Sequence, residues 1–125
     1  MKTAIIKTNK YDLFKYLSSL ESEDVFIIAD EKIKNHLPQW IIYSSKVFWL
    51  KNPEGSKNLD RYQEALFFFL DQKINRHSVL YAIGGGGTSD FAGFVAATIL
   101  RGIKWQVIPT TLLSMIDASI GGKVG

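Results

Sequence analysis

The sequence predicts an α/β fold, a mostly parallel sheet with helices on both faces. Short apolar runs such as Val25-Phe-Ile-Ile-Ala29 and Val79-Leu-Tyr-Ala-Ile83 have the composition of strands buried on both sides. They alternate with longer stretches whose apolar residues recur at helical spacing. One of the runs leads directly into four consecutive glycines, Gly84 to Gly87, and then into an Ala/Gly-rich helix. Strand and helix alternating in this way argue for parallel strands joined by crossover connections.

In chain order, Thr3 to Thr8 reads as a first short strand with Ile5 and Ile6 at its centre. Asn9 to Asp12 turns the chain into a helix whose Leu13, Phe14, Tyr16, Leu17 and Leu20 form a core-facing stripe. The run Val25 to Ala29 is the second strand and ends in Asp30; a helical segment, Glu31 to Leu37, follows and stops at Pro38. Val47 to Leu50 is the third strand, and Lys51 to Asn58 is a turn cluster. The next helix carries Leu59, Tyr62, Ala65, Leu66, Phe69, Leu70 and Ile74 at helical period. Phe67 and Phe68 widen that face, and core packing accounts for all of these residues. Val79 to Ile83 is the fourth strand. The helix after the glycines is expected to start at Ser89 or Asp90, both good N-caps, and to end at Arg101-Gly102. Its Ala92, Gly93, Ala96 and Ala97 let helix and sheet approach closely. Trp105 to Pro109 is the fifth strand, and Thr110 to Ile120 begins a last helix. No internal repeat or low-complexity segment interrupts the pattern.

Composition bounds the function. The 125 residues suffice for one domain with a real core. With 46% hydrophobic and 22% charged residues, the chain is globular rather than disordered. The absence of cysteine excludes disulfides and thiolate metal sites. A formal charge of +3 with scattered Lys and Arg gives nucleic-acid binding little support and suits a small anionic partner better. The apolar part of Met1 to Lys10 is too short for a signal peptide and no later stretch reaches membrane-spanning length, so the expected location is cytoplasmic, with no membrane partner. His36 and His77 are isolated, so no metal ligands are assigned; His77, after a helix C-terminus, suits a cationic or capping role.

The glycine stretch is the chemical centre. Consecutive glycines let the backbone come close to a ligand, and the free N–H groups and positive dipole end of the following helix favour an anion, a pyrophosphate above all. As a G-x-G-x-x-G fingerprint it is imperfect, since Ser89 stands where the third glycine belongs, and a plain strand-to-helix turn would use the same residues. Asp30 stands where parallel sheets often hold a ribose hydroxyl, and equally where a helix N-cap is needed. It precedes the glycines, which is not the ordinary dehydrogenase order. Lys57 can reach a phosphate at the sheet edge or be solvated surface. Thr110 and Thr111 bring hydroxyls to the end of the fifth strand, and Gly121-Gly-Lys123 is a flexible segment with a point charge that lacks P-loop spacing.

Four blocks together are specific: Gly84-Gly-Gly-Gly-Thr-Ser-Asp-Phe-Ala-Gly-Phe-Val-Ala-Ala97, Arg101-Gly-Ile103, Pro109-Thr-Thr-Leu-Leu113 and Asp117-Ala-Ser-Ile-Gly-Gly-Lys123. In this order and spacing, over about forty residues, they closely resemble 3-dehydroquinate synthase, a sugar-phosphate cyclase. The resemblance implies a Rossmann-like NAD-binding domain spanning residues 1–125, part of a longer two-domain enzyme and lacking the family's C-terminal helical metal-binding domain. It implies conversion of 3-deoxy-D-arabino-heptulosonate 7-phosphate to 3-dehydroquinate and phosphate in the shikimate pathway, with catalytic NAD. A divalent metal, zinc or cobalt, is expected only with the second domain, and the full-length enzyme is expected to be a homodimer. The 125 residues alone are expected to be inactive. A related cyclase acting on another phosphorylated sugar, or a stand-alone NAD-binding module, are the alternatives.

Carried over by residue, Asp30 binds the adenosine ribose, and the Gly85, Gly86, Gly87, Thr88, Ser89 and Asp90 stretch lies against the pyrophosphate and neighbouring ribose. Thr110 and Thr111 match a cofactor-binding pair, and Lys57 matches the lysine of a Gly-Glu-x-x-Lys turn. The resemblance implies that Asp117 sits beside the nicotinamide and reacting carbon, and Lys123 matches a lysine close to NAD and substrate. Arg101 matches an arginine reaching a substrate phosphate across a dimer interface. This sequence departs from the family at Ser89, usually glycine, and at Lys32, often asparagine. Its turn is shortened to Glu54-Gly-Ser-Lys57, so the family's glutamate has no clear counterpart.

Overall fold

The computed structural model describes residues 10–56 and 58–109. The strand expected at Thr3–Thr8 and the helix expected from Thr110 to Ile120 lie outside the described residues. Helix α1 spans Lys10–Ser19, followed by β1 at Val25–Asp30, α2 at Gln39–Ile42, β2 at Val47–Leu50 and α3 at Leu59–Asp71. Strand β3 at Val79–Gly84, helix α4 at Gly86–Thr98 and β4 at Lys104–Pro109 complete the order. The four strands form one sheet in the order β2-β1-β3-β4, with every neighbouring pair parallel.

Side chains leave a strand alternately to either face, so the unbroken apolar runs supply two cores at once. Val25, Ile27 and Ala29 of β1 face a cluster that includes Leu17, Ile33, Leu37, Ile41 and Tyr81. Phe26 and Ile28 face the opposite cluster, where Phe69 of α3 and Phe91, Ala92, Val95 and Ala96 of α4 are buried. Helices α3 and α4 thus cover one face, while α1, α2 and the segment between β1 and α2 cover the other. Among the described residues no helix is long and apolar enough to cross a membrane.

Asn58 caps α3 by accepting from the Arg61 N–H at 2.9 Å. The segment Glu31–His36 is helical as expected, but with 3-10 geometry, and the four-residue helix α2 had no signal in the apolar spacing. Three residues expected in the core are not there. Leu59 is 78% exposed, Phe67 62% and Leu70 46%. The apolar stripe of α3 is broader than the arc its sheet contact covers, so residues on its outer shoulder stay in solvent. His77 does not cap α3, which ends at Asp71; its N–H donates instead to Asn75 Oδ1 at 2.8 Å within the turn before β3.

Candidate phosphate-binding site at the carboxyl edge

Strand order determines where the site falls. The chain leaves β1 for β2 on one side and returns to place β3 on the other, so the connections after β1 and β3 diverge and open a crevice at their carboxyl ends. Ala29 pairs with Ile83, so Asp30 and Gly84 emerge side by side at that crevice.

The glycine stretch departs from expectation in one respect. Helix α4 begins at Gly86, with Gly85 as N-cap, so neither Ser89 nor Asp90 caps it. Glycine is a poor helix former, which is why the sequence points to a later start. Here its lack of a Cβ decides the matter. A Cβ on Gly87 would stand 2.5 Å from Glu54 Oε2 and 3.1 Å from the Pro53 Cβ, and one on Gly84 would stand 2.6 Å from Thr88 Oγ1. At Gly86 a Cβ would meet nothing within 4 Å, so its outer side is open. The first helical hydrogen bond runs from the Ser89 N–H to the Gly85 carbonyl, 3.0 Å. The N–H groups of Gly86, Gly87 and Thr88 are therefore first-turn donors at the positive end of a thirteen-residue helix.

A pocket of about 150 Å³ lies against this helix end, lined by Asp30, Lys32, the Asn52-Pro53-Glu54 loop and Gly85 to Thr88. Asp30 Oδ1 accepts the Lys32 N–H at 3.0 Å, so Asp30 is a cap and a wall of the pocket together. One such bond leaves a carboxylate further lone pairs for a ligand hydroxyl. Thr88 is 1% exposed, and among the described residues its Oγ1 is a buried side-chain oxygen with no hydrogen-bond partner. A buried hydroxyl left without a partner costs about 1–3 kcal/mol.

The structure thus gathers Asp30, Gly85, Gly86, Gly87 and Thr88 of the expected set. Ser89 sits in the first turn of α4, its Oγ donating to the Gly86 carbonyl at 3.1 Å, and Asp90 is exposed one residue further on. Arg101 lies past the opposite end of α4, about 20 Å of helix away from the glycines, and does not join this pocket. Lys57, Thr110, Thr111, Asp117 and Lys123 lie outside the described residues. Glu54 is the wall residue that the sequence reading left without a role. Its signal is topological: the loop after β2 must emerge on the same sheet edge as those after β1 and β3. Among the described residues no group of three His, Asp or Glu could hold a metal ion.

A parallel sheet with a glycine-built helix N-terminus at its switch point, an acidic strand end beside it and a buried hydroxyl beneath defines the class of α/β proteins that bind phosphate-bearing cofactors. Comparison with known proteins narrows this class. Residues 47–125 match the family model for the 3-dehydroquinate synthase N-terminal domain, and the chain belongs to that family. It is 39% identical over 128 residues to 3-dehydroquinate synthase of Clostridium tetani (strain Massachusetts / E88), covering 96% of this chain and 34% of that protein. It is 41% identical over 105 residues to the Staphylococcus aureus (strain JH9) enzyme of the same name, covering 80% of this chain and 29% of that protein. The chain therefore spans about a third of the length of these relatives. Among solved structures, 2-deoxy-scyllo-inosose synthase complexed with carbaglucose-6-phosphate, NAD+ and Co2+ shares the fold, with a TM-score of 0.60 at 22% identity. That match covers 86% of this chain and 32% of the other.

Proposed function

We propose that this chain is the NAD-holding part of a 3-dehydroquinate synthase, a lyase of the shikimate pathway that converts 3-deoxy-D-arabino-heptulosonate 7-phosphate to 3-dehydroquinate and phosphate. The observation that carries the reading is the Thr88 hydroxyl, buried and without a partner among the described residues, in the first turn of a helix whose Gly86 is open on its outer side. The residues present fit NAD. The Gly86, Gly87 and Thr88 N–H groups and the Thr88 hydroxyl would hold the diphosphate, and Asp30 would accept from an adenosine ribose hydroxyl. Bound NAD supplies a transient oxidant for a ring alcohol of the substrate. The chain's own residues bind and orient: the helix end fixes the diphosphate, and the buried β1–β3 pairing fixes the distance between that point and Asp30.

Lys57, Ser89, Asp90, Thr110 and Thr111 are assigned to the same cofactor, and Asp117, Lys123 and Arg101 to cofactor and substrate together. Arg101, at the far end of α4, is assigned to the site of a second copy, which gives the enzyme a reason to be a homodimer. The divalent metal, zinc or cobalt, is assigned to residues outside those described, because the described ones form no ligand cluster. The setting proposed is cytoplasmic, with no nucleic-acid or membrane partner. By itself the 125-residue chain is proposed to bind and not to turn over, since it spans a third of the enzymes whose reaction it resembles.

The fold shared with 2-deoxy-scyllo-inosose synthase keeps a second reading in play, a cyclase for another phosphorylated sugar. The 39–41% identity to proteins named 3-dehydroquinate synthase favours the first. Phosphate release from both sugar phosphates, assayed with the 125-residue chain and with the product of the whole reading frame in parallel, separates them. NAD-dependent release from 3-deoxy-D-arabino-heptulosonate 7-phosphate by the latter is expected, and release from the other sugar alone contradicts the reading.

A further inference from the structure

Lys32 brings a cation to the same pocket as the Asp30 carboxylate. The backbone ties the two together: the Lys32 N–H donates to Asp30 Oδ1 at 3.0 Å, and the 3-10 segment Glu31–His36 starts at this cap. Ile33, the next residue, is buried in the core with Leu37 and Ile41, which fixes the point at which Lys32 leaves the chain. Lys32 itself is exposed, and among the described residues its ammonium forms no ion pair. Its neighbours are occupied within the fold. Lys34 lies over the Trp49 ring, 4.9 Å from the centroid, and Lys46 pairs with Asp24 at 3.6 Å.

We propose that Lys32 makes the pocket tolerant of a phosphate on the adenosine 2′-hydroxyl, so that NADP binds nearly as well as NAD. The inference rests on the dinucleotide reading of the pocket, with Asp30 at the adenosine ribose, and concerns which dinucleotides it takes. An acidic residue at a strand tip accepts from ribose hydroxyls, and a cation beside it accommodates a 2′-phosphate. With Asp30 alone, the added phosphate would meet a like charge and be excluded. The Lys32 ammonium on the adjoining wall attracts the same phosphate. In a partly exposed pocket each contribution corresponds to about tenfold in affinity, so the two nearly cancel. NAD, whose ribose hydroxyl is neutral at that point, gains from Asp30 and little from Lys32.

The test is calorimetric titration of the 125-residue chain and its Lys32→Gln and Lys32→Arg variants with NAD and NADP, at low and at high salt. Lys32 is exposed, so neither change should disturb folding, and thermal melting verifies this. The wild-type chain is expected to bind NADP within about tenfold of NAD. Lys32→Gln is expected to weaken NADP by a further factor of about ten while NAD changes by less than about threefold, and Lys32→Arg to keep NADP binding. The deficit in Lys32→Gln is a repulsion, so high salt should narrow it. A wild-type chain that binds NAD and shows a wider gap to NADP overturns the proposal. Equal effects of Lys32→Gln on both dinucleotides, or none on either, also overturn it. Failure of the wild-type chain to bind either one is a different result, which removes the dinucleotide reading and the tolerance with it.

Discussion

The hydroxyl of Thr88 lies over Gly84, so close that a Cβ on the glycine would stand 2.6 Å from Oγ1 and 2.8 Å from the threonine Cβ. Both residues are buried, and the contact joins the end of β3 to the first turn of α4. Gly84→Ala is therefore expected to lower stability by about 1–3 kcal/mol through overpacking and to displace the turn that aims the helix at its ligand. Denaturant unfolding with unchanged slope measures the first effect. Loss of NAD binding in the folded variant measures the second.

Thr88→Val separates fold from function by the sign of its effects. Among the described residues the wild-type hydroxyl has no partner in its buried position, so an isosteric methyl removes a desolvation cost. Stability is expected to hold or to rise by about 1 kcal/mol. NAD affinity is expected to fall about tenfold, the equivalent of one hydrogen bond to a charged group. A variant that loses stability and keeps affinity would show that Thr88 serves packing alone.

The α3–α4 layer rests on aromatic packing around Phe91, which is fully buried, 4.6 Å from the Tyr62 ring centroid and stacked on Phe48 at 6.2 Å. Phe91→Ala is expected to cost about 3–5 kcal/mol. Phe67→Ala, at a 62% exposed position on the same layer, is expected to stay within about 0.5 kcal/mol in the monomer. Chemical denaturation of both variants checks the contrast.

Tyr81 predicts an alkaline limit. Its hydroxyl shares a 3.0 Å hydrogen bond with that of Tyr16, which also donates to Gln106 Oε1 at 3.4 Å. Burial first, then the Tyr16 hydrogen bond, pushes the Tyr81 hydroxyl well above the ordinary tyrosine range. The folded state therefore keeps a proton that the unfolded chain releases near the ordinary value of about 10. This contribution is intact below about pH 10 and is lost as pH rises toward the elevated folded value. Tyr81→Phe should flatten the alkaline decline in stability. An equally steep decline in the variant would assign it to other groups.

Burial on both faces was legible in the sequence because runs such as Val25 to Ala29 leave no polar side for water, and Asp30 at the strand tip marked the carboxyl edge at which the pocket opens. The start of α4 was not legible. Helix propensity places it after the glycines, whereas the clearance available at Gly87 against Glu54 and Pro53 depends on a loop thirty residues earlier in the chain. Periodicity likewise gave Leu59, Phe67 and Leu70 an apolar face without saying how wide an arc the sheet would cover. Glu54 joins the pocket because β2 lies next to β1, and strand order is a property of the assembled sheet rather than of any local stretch.

The central claim, that the α4 N-terminus and Asp30 form a dinucleotide site, is tested most directly by titrating the 125-residue chain with NAD beside its Asp30→Ala variant. Saturable one-to-one binding, weakened about tenfold by Asp30→Ala in a protein that still melts cooperatively, is the predicted result. A well-folded wild-type chain that shows no NAD binding at millimolar concentration, or binding that the variant leaves unchanged, would contradict it.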